Sequence, residues 1–337
     1  MLQVKSLGII LEKTTLPFEN KGVLNPGCIE FKGITHLFYR AINDQDISSI
    51  GYCQIIDNQV IKRLKKPIIF PYHDFEKRGV EDPRIVYLDN YFYLLYTAFD
   101  GQNALVAYAI SKDLKKFTKK GLISPKITYD EAEDIFRNSG VGKKYIFFEK
   151  LYKRKKGHDV LLWEKDASLF PRKIKGKFAL IHRILPGIQI VYFNKFSDLN
   201  YDFWRKYLKN LKDFIIIDPK YPFENRNVGG GCPPIETPYG WLLIYHAVED
   251  TKKGKVYHAG AALLDLNNPQ RVLGRLKKPL FSPTAPWEKT GITKNVVFPT
   301  GAIIKGENLI IYYGAADTVI GAKLVNLESL IKEIKRK

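Results

Sequence analysis

The sequence predicts an all-β chain: a five-bladed β-propeller with a short helical insertion and a C-terminal helix. Runs of Tyr, Phe, Ile and Val recur between Gly, Pro, Asn and Asp turns, which is strand composition. One pattern, an apolar or aromatic run closed by a polar group, appears five times along the chain. Helical periodicity is confined to about residues 199–211 and to the terminus from about residue 324.

In chain order the repeats are ITHLFYRA (34–41), YFYLLYTAFDG (91–101), KFALIHRI (177–184), GWLLIYHAV (240–248) and NLIIYYGAAD (308–317). Tyr39, Tyr96, His182, Tyr245 and Tyr312 mark equivalent points, spaced about 60 residues apart, with a longer step before His182 that signals an insertion. Five units of this size make a propeller whose innermost strands converge on a channel. Arg40, Asp100, Arg183, His246 and Asp317 each follow an apolar run, so together they are placed to share one cavity; singly, each is also an ordinary strand-end residue. The helix-like stretch 201–212 either covers the channel mouth or meets another subunit. No Pro-, Gly- or Ser-rich linker divides residues 1–337, which read as one domain with a helical extension over about 324–337.

Composition narrows the function. At 45% hydrophobic and 26% charged, the 337 residues exclude a disordered, collagenous or coiled-coil chain. Three scattered cysteines, Cys28, Cys53 and Cys232, build neither a disulfide framework nor a zinc site, and the six histidines are dispersed, so no metal is expected. The N-terminus carries no cleavable leader pattern, and no apolar run is long enough to span a bilayer; the expectation is a cytoplasmic protein without a membrane partner. The net charge of +19 allows an anionic partner. Its lysines, however, lie in short surface-like runs with few interleaved aromatics, which argues against nucleic acid and for a solvated surface.

Four segments carry chemistry. Gly79-Val80-Glu81-Asp82-Pro83-Arg84 sets two carboxylates and a guanidinium on a proline-stiffened turn, which suits sugar hydroxyls and equally an internal ion pair. Asp100 closes an apolar strand, where desolvation raises a carboxyl toward proton donation at neutral pH; Asp-Gly is also a common turn. Lys165 and Arg183 place two cations on neighbouring strand-like elements, an anion site if they converge and surface charge if they do not. Gly229-Gly230-Gly231-Cys232-Pro233-Pro234 permits close backbone approach, to a ligand or within a blade connection. Phosphate-loop, dinucleotide, zinc-peptidase and serine-hydrolase motifs are missing.

The ordered set GVEDPRI (79–85), YTAFDG (96–101), KDA…FP…GK…HR…P (165–186), GGGCPPIET (229–237), YHAGAALLDLNNPQRVLGR (257–275) and VVFPTG…YYGAADT (296–318) resembles glycoside hydrolase family 130, the β-mannoside phosphorylases, over about residues 20–325. The resemblance implies a five-bladed propeller that cleaves a terminal β-mannoside with inorganic phosphate as co-substrate, inverting to α-mannose 1-phosphate without any other cofactor. It implies Asp100 as general acid, acting through a mannose hydroxyl, and Lys165, Arg183 and Tyr257, with His182 beside them, as phosphate ligands. Lys165 stands where some members carry Arg, trading a bidentate fork for a point charge. Asn25, Arg40, Asp82, Arg84 and Asp317 become hydroxyl partners, with Tyr96 and Phe99 as walls and His246 as a further substrate contact. The implied partners are a small carbohydrate and phosphate, and the helical appendages leave room for a homo-oligomer. A phosphate-independent β-mannosidase on the same scaffold is the competing reading, which basic and phenolic residues at 165, 183 and 257 disfavour. The linkage and the acceptor sugar are not legible; segments 43–49, 153–158 and 201–227 are where they are expected to be chosen.

Overall fold

The computed structural model describes residues 2–157 and 159–336, so His158 of the 153–158 segment and the terminal Lys337 lie outside the described residues. The fold is all-β with few helices. After β1 (Val4–Leu11) comes a meander of β2 (Gly22–Phe31), β3 (Ile34–Ile42), β4 (Ser48–Ile56) and β5 (Gln59–Arg63). A second follows, β6 (Gly79–Leu88), β7 (Tyr91–Phe99), β8 (Ala104–Ser111) and β9 (Thr118–Leu122). Helices α1 (Tyr129–Arg137) and α2 (Lys143–Lys156) then lead to β10 (Lys165–Leu169), β11 (Phe178–Arg183) and β12 (Ile188–Phe193), and α3 (Tyr201–Lys209) leads to β13 (Ile215–Ile217). The fourth unit is β14 (Asn227–Gly230), β15 (Ile235–Thr237), β16 (Gly240–Thr251), β17 (Gly254–Leu264) and β18 (Val272–Arg275). The short α4 (Pro286–Lys289) precedes β19 (Val297–Lys305), β20 (Asn308–Ala315) and β21 (Val319–Asn326), and α5 (Leu327–Lys335) follows them.

Pairing within each unit is antiparallel. The first two units share one sheet only through the parallel pair Ser48↔Gly79, so they pack as separate meanders. The last unit is completed by β1, which pairs with β21 from Val4↔Val325 to Leu11↔Ile320. The leading strands of the units touch in series: β2 lies against β6 and β19, and β10 against β6 and β14.

The five repeats found in the sequence fall on β3, β7, β11, β16 and β20, and the tyrosine or histidine near the end of each run has a structural reason. On β3, β7, β16 and β20 a tyrosine hydroxyl donates to a buried glutamate from the connection before the unit's leading strand: Tyr39 to Glu19 at 2.7 Å, Tyr96 to Glu76 at 3.0 Å, Tyr245 to Glu224 at 2.7 Å and Tyr313 to Glu288 at 2.6 Å. Each glutamate also meets a cation from later in its unit, Arg63, Lys119, Arg275 and Lys323 respectively. In the last unit the bonded residue is Tyr313, one past the repeat position Tyr312. The third unit puts His182 in the tyrosine's place, with Nδ1 2.6 Å from Glu164 Oε1 and Nε2 2.7 Å from the Tyr207 hydroxyl of α3. A buried carboxylate is tolerated best when paired and hydrogen-bonded, and the staples of the first, second, fourth and fifth units meet that need. In the third, Glu164 has the His182 contact alone, and its Oε2 is buried without a hydrogen-bond partner among the described residues.

The helices differ from expectation in two ways. The inserted helices α1 and α2 fill the long step before His182, where the sequence reading gave no helix. α1 starts conventionally, with the Thr128 hydroxyl accepting from Glu131 N, but α2 is rich in lysines and aromatics on all sides, which hides its period. The terminal helix begins at Leu327 rather than about 324, because β21 runs on to Asn326, which caps Ser329 N. The expected 201–212 helix is α3, whose buried face of Trp204, Tyr207 and Leu208 packs against the third unit. Among the described residues no helix is long and apolar enough to cross a membrane.

Candidate active site

Three leading strands carry the same irregularity at the same place. The register slips between Leu24 and Gly27 on β2, between Glu81 and Arg84 on β6, and between Lys165 and Ser168 on β10. At each slip an Asn or Asp adopts positive φ: Asn25 at 46°, Asp82 at 51° and Asp166 at 57°; Asp317, just after β20, joins them at 55°. Such bulges re-aim a side chain, and Asx residues tolerate the left-handed region best. Two glycines make room. A Cβ on Gly314 would lie 2.2 Å from Asn25 Oδ1, and one on Gly229 would lie 2.3 Å from the His246 ring and 2.6 Å from Asp166.

The four Asx residues divide between two ends of one polar cluster. At the first end, Asn25 Nδ2 donates to Asp82 Oδ1 at 2.8 Å, leaving its own Oδ1 buried without a partner among the described residues. Arg40 donates to Glu81 Oε1 at 2.8 Å and to Ser48 at 2.8 Å, and lies 3.6 Å from Asp82. Burial pushes Asp317's carboxyl above its usual range; Thr293 and Arg40 oppose this, and Asp82 and Glu81 reinforce it. One arginine thus serves three carboxyls, a neighbourhood rich in acceptors.

The second end reverses the balance. Asp166, 2% exposed, accepts from Arg84 Nη2 at 3.1 Å and pairs with Arg183 Nη1 at 2.9 Å. Burial would raise its carboxyl, but Arg183, Arg84 and Lys165 outweigh burial and hold it low. Lys165 and Arg183, opposed in the β10–β11 register, both reach the cluster, and Lys165 Nζ links the two ends at 3.4 Å from Glu81 Oε2. Burial, aided by Arg183 and Arg84, pushes His246 down to about 3, so its ring is neutral and accepts Arg183 Nη1 at 3.2 Å on Nε2. The Phe298 and Tyr257 rings lie against it, at 4.3 and 6.4 Å between centroids, and burial raises the Tyr257 phenol.

Asp100 sits on the turn after β7. Its Oδ1 accepts from the backbone N–H of Gln102 at 2.7 Å and of Asn103 at 2.6 Å, and Oδ2 accepts from Asn103 Nδ2 at 2.9 Å. Burial pushes the carboxyl up, but these bonds and nearby Lys77 outweigh it and hold it below the usual range. The raised carboxyl expected from the sequence is therefore corrected: a turn that caps itself stabilises the ionised form. Phe99 beside it meets Trp163 edge-on at 6.3 Å, and Lys165 Nζ lies 5.5 Å from the Trp163 ring. Trp163 joins Asp100's turn to the second end by donating to Gln102 O at 2.9 Å.

Asn25, Arg40, Asp82, Phe99, Asp100, Lys165, Arg183, His246, Tyr257 and Asp317 thus belong to one neighbourhood. Arg84 lies within it but faces protein, donating to Gly231 O, Asp82 O, Asp166 and Gly230 O. Tyr96 and His182 do not join it, since both are spent on the staples. Glu81, Asp166 and Trp163 are cluster members that the sequence reading did not assign as site residues. For Glu81 and Asp166 the available signal was an acidic residue flanking a matched one. Among the described residues no group of His, Cys, Asp and Glu is arranged to hold a metal ion.

Comparison with known proteins gives three findings. A family model described as β-1,4-mannooligosaccharide phosphorylase, glycoside hydrolase family 130, matches residues 12–336. A 1,2-β-oligomannan phosphorylase of Thermoanaerobacter sp. (strain X514) is 34% identical, covering 98% of this chain and 99% of its own; a β-1,2-mannobiose phosphorylase of the same strain is 34% identical, covering 93% of each. The structure of the β-1,2-mannobiose phosphorylase from Listeria innocua, in complex with β-1,2-mannobiose, superposes with a TM-score of 0.73 at 22% identity over 99% of both chains.

Proposed function

Because the chain belongs to glycoside hydrolase family 130, we propose that it is a β-mannoside phosphorylase acting on β-1,2-linked manno-oligosaccharides. Phosphorolysis follows from the family and its 34% identical relatives, and the β-1,2 linkage is the one those two relatives carry in their names. The five sheet units are read as blades of a closed propeller, supported by the serial contact of their leading strands and by the β1–β21 pairing.

The observation that carries the mechanism is the excess of cations at the second end. Among the described residues Arg183 is held by Asp166 and His246 through Nη1 alone, leaving Nη2 for a ligand; Lys165 opposes it in register, and the Tyr257 phenol lies within reach of its charge. Inorganic phosphate seated there is already an anionic nucleophile, so no second carboxylate is needed to activate water. The acceptor-rich end, Asn25, Arg40, Asp82 and Asp317, fits the hydroxyls of the terminal mannose, whose hydrogens seek carboxylate oxygens. A phosphate oxygen attacks the anomeric carbon from the face opposite the leaving sugar. The C1–O bond to the acceptor breaks as C1–O–P forms with inverted configuration, and Asp100 supplies the leaving oxygen's proton by way of a mannose hydroxyl. Asp100 is low in the free protein, so it takes up its proton as phosphate charge accumulates nearby, which raises a carboxyl.

The test is incubation of the protein with β-1,2- and β-1,4-mannobiose, with and without phosphate, followed by phosphorus and proton NMR. Phosphate-dependent release of α-mannose 1-phosphate from the β-1,2 substrate is expected. Free mannose without phosphate would identify a hydrolase, and turnover of the β-1,4 substrate alone would overturn the linkage.

A further inference from the structure

Beside Arg183 a small cavity is lined by Tyr129, Phe148, Glu149, Tyr152, Trp163 and Arg183. Its volume is about 10 Å³, the room that one water needs. Two of these residues bring buried polar atoms that have no hydrogen-bond partner among the described residues, Glu149 Oε2 and Arg183 Nε. Buried polar groups are seldom left unmatched, and an orphaned donor and an orphaned carboxyl oxygen around one water-sized space are complementary.

Glu149 is 2% exposed and comes from α2, which is anchored along its length. Near its start the Tyr145 hydroxyl donates to Asp218 Oδ1 at 2.7 Å and accepts from Gln189 Nε2 at 3.1 Å. Near its end Lys153 pairs with Asp130 and Glu133 of α1. The helix thus holds Glu149 at the cavity.

We propose that Glu149 is a positioning residue for phosphorolysis: through one water in this cavity it fixes the Nε edge of the Arg183 guanidinium, while Asp166 and His246 fix Nη1, so that Nη2 is presented to phosphate. The inference rests on the reading of Arg183 as a phosphate ligand. Glu149 suits the role because burial, with Glu133 nearby, pushes its carboxyl well up. A neutral acid orients the guanidinium without neutralising it, whereas a second ionised carboxylate beside Asp166 would compete with the phosphate.

Steady-state kinetics with phosphate and β-1,2-mannobiose varied separately test this. Glu149→Leu is expected to raise the KM for phosphate about 10-fold, the size of one lost water-mediated bond, with the KM for mannobiose unchanged. Glu149→Gln keeps a neutral hydrogen-bonding group and should restore a near-native phosphate KM. In an Arg183→Ala background Glu149→Leu should add nothing further. An unchanged phosphate KM in Glu149→Leu, an equal rise in both KM values, or a Gln variant no better than Leu would each overturn the proposal. If Glu149→Leu does not fold, Glu149→Ala takes its place. A wild-type protein that turns over without phosphate would instead defeat the phosphorylase reading, a result separable from the variant series.

Discussion

The staples at the periphery and the cluster at the centre are built from the same residue types, carboxylates, tyrosines and cations, yet they do different work. Outside the third unit each peripheral glutamate has its tyrosine and its cation: Glu224, for instance, meets Tyr245 and Arg275 and accepts the backbone N–H of Lys220 and Tyr221. Its bonding capacity is used up. At the centre Arg40 faces Glu81, Asp82 and Asp317, while Asp166 faces Arg84 and Arg183, and Asn25 Oδ1 and Arg183 Nε find no partner among the described residues. A matched network stabilises a fold; an unmatched one of the same chemistry is free to bind. Charge content alone therefore does not separate structure from function, and neither does an unmet bond by itself, since Glu164 Oε2 of the third unit's staple is also buried without a hydrogen-bond partner among the described residues. What sets the cluster apart is the imbalance of charge between its two ends.

Substitutions can break this contrast from either side. The largest effect expected is on catalysis: Asp100→Asn should lower kcat by about 10³-fold, the scale of general-acid catalysis, with no change in melting temperature. A variant with near-native kcat would move the proton donor elsewhere in the cluster. Arg275→Ala strips the cation from Glu224 and should cost about 3–5 kcal/mol in denaturant unfolding, with kcat/KM unchanged below the transition. Arg183→Ala also strips a cation from a buried carboxylate, Asp166, which keeps only Arg84, but it should add what Arg275→Ala lacks, a rise of about 10²-fold in the KM for phosphate. If the two arginine variants behaved alike, the division between periphery and centre would fail.

His246 sharpens the contrast through pH. Its folded pKa of about 3 lies below the unfolded 6.5, so the unfolded chain binds the extra proton. The stability it contributes is complete above pH 6.5 and is lost as pH falls toward 3, at about 1.4 kcal/mol per pH unit. In His246→Gln that portion of the acid-side slope should vanish from unfolding curves measured between pH 4 and 7. The smallest effect is expected for Tyr245→Phe, which removes one bond to Glu224 but leaves Arg275 in place, a loss of about 1–2 kcal/mol with native kinetics.

The repeat-bearing strand of every unit was legible because a one-sided apolar run and a closing aromatic are local properties. Asp100, Lys165 and Arg183 could be picked out for a related reason, since they directly follow or oppose such runs. Tyr96 and His182 look the same in sequence, and nothing local tells that Glu76 and Glu164, each about twenty residues earlier in the chain, consume them. Asp166 was passed over because Lys-Asp reads as surface charge until the β10 bulge turns it inward. α2 was invisible for want of an amphipathic stripe, and with it Glu149, whose meaning depends on Arg183 more than thirty residues later.

The pairing of β1 with β21 has a consequence for biosynthesis. Val4 and Val325 meet only after nearly the whole chain has been made, and closing a loop of that length costs on the order of 5 kcal/mol in chain entropy. Asp317 lies in the turn before β21, and the backbone N–H of Val23 on β2 donates to Thr318 O beside it. A ribosome-bound chain that lacks β20 and β21 can form its first meanders and their staples, but its acceptor-rich end lacks Asp317 and the sheet that packs against Asn25. Activity should therefore appear abruptly as the last sheet is completed, well after most of the β-structure has formed.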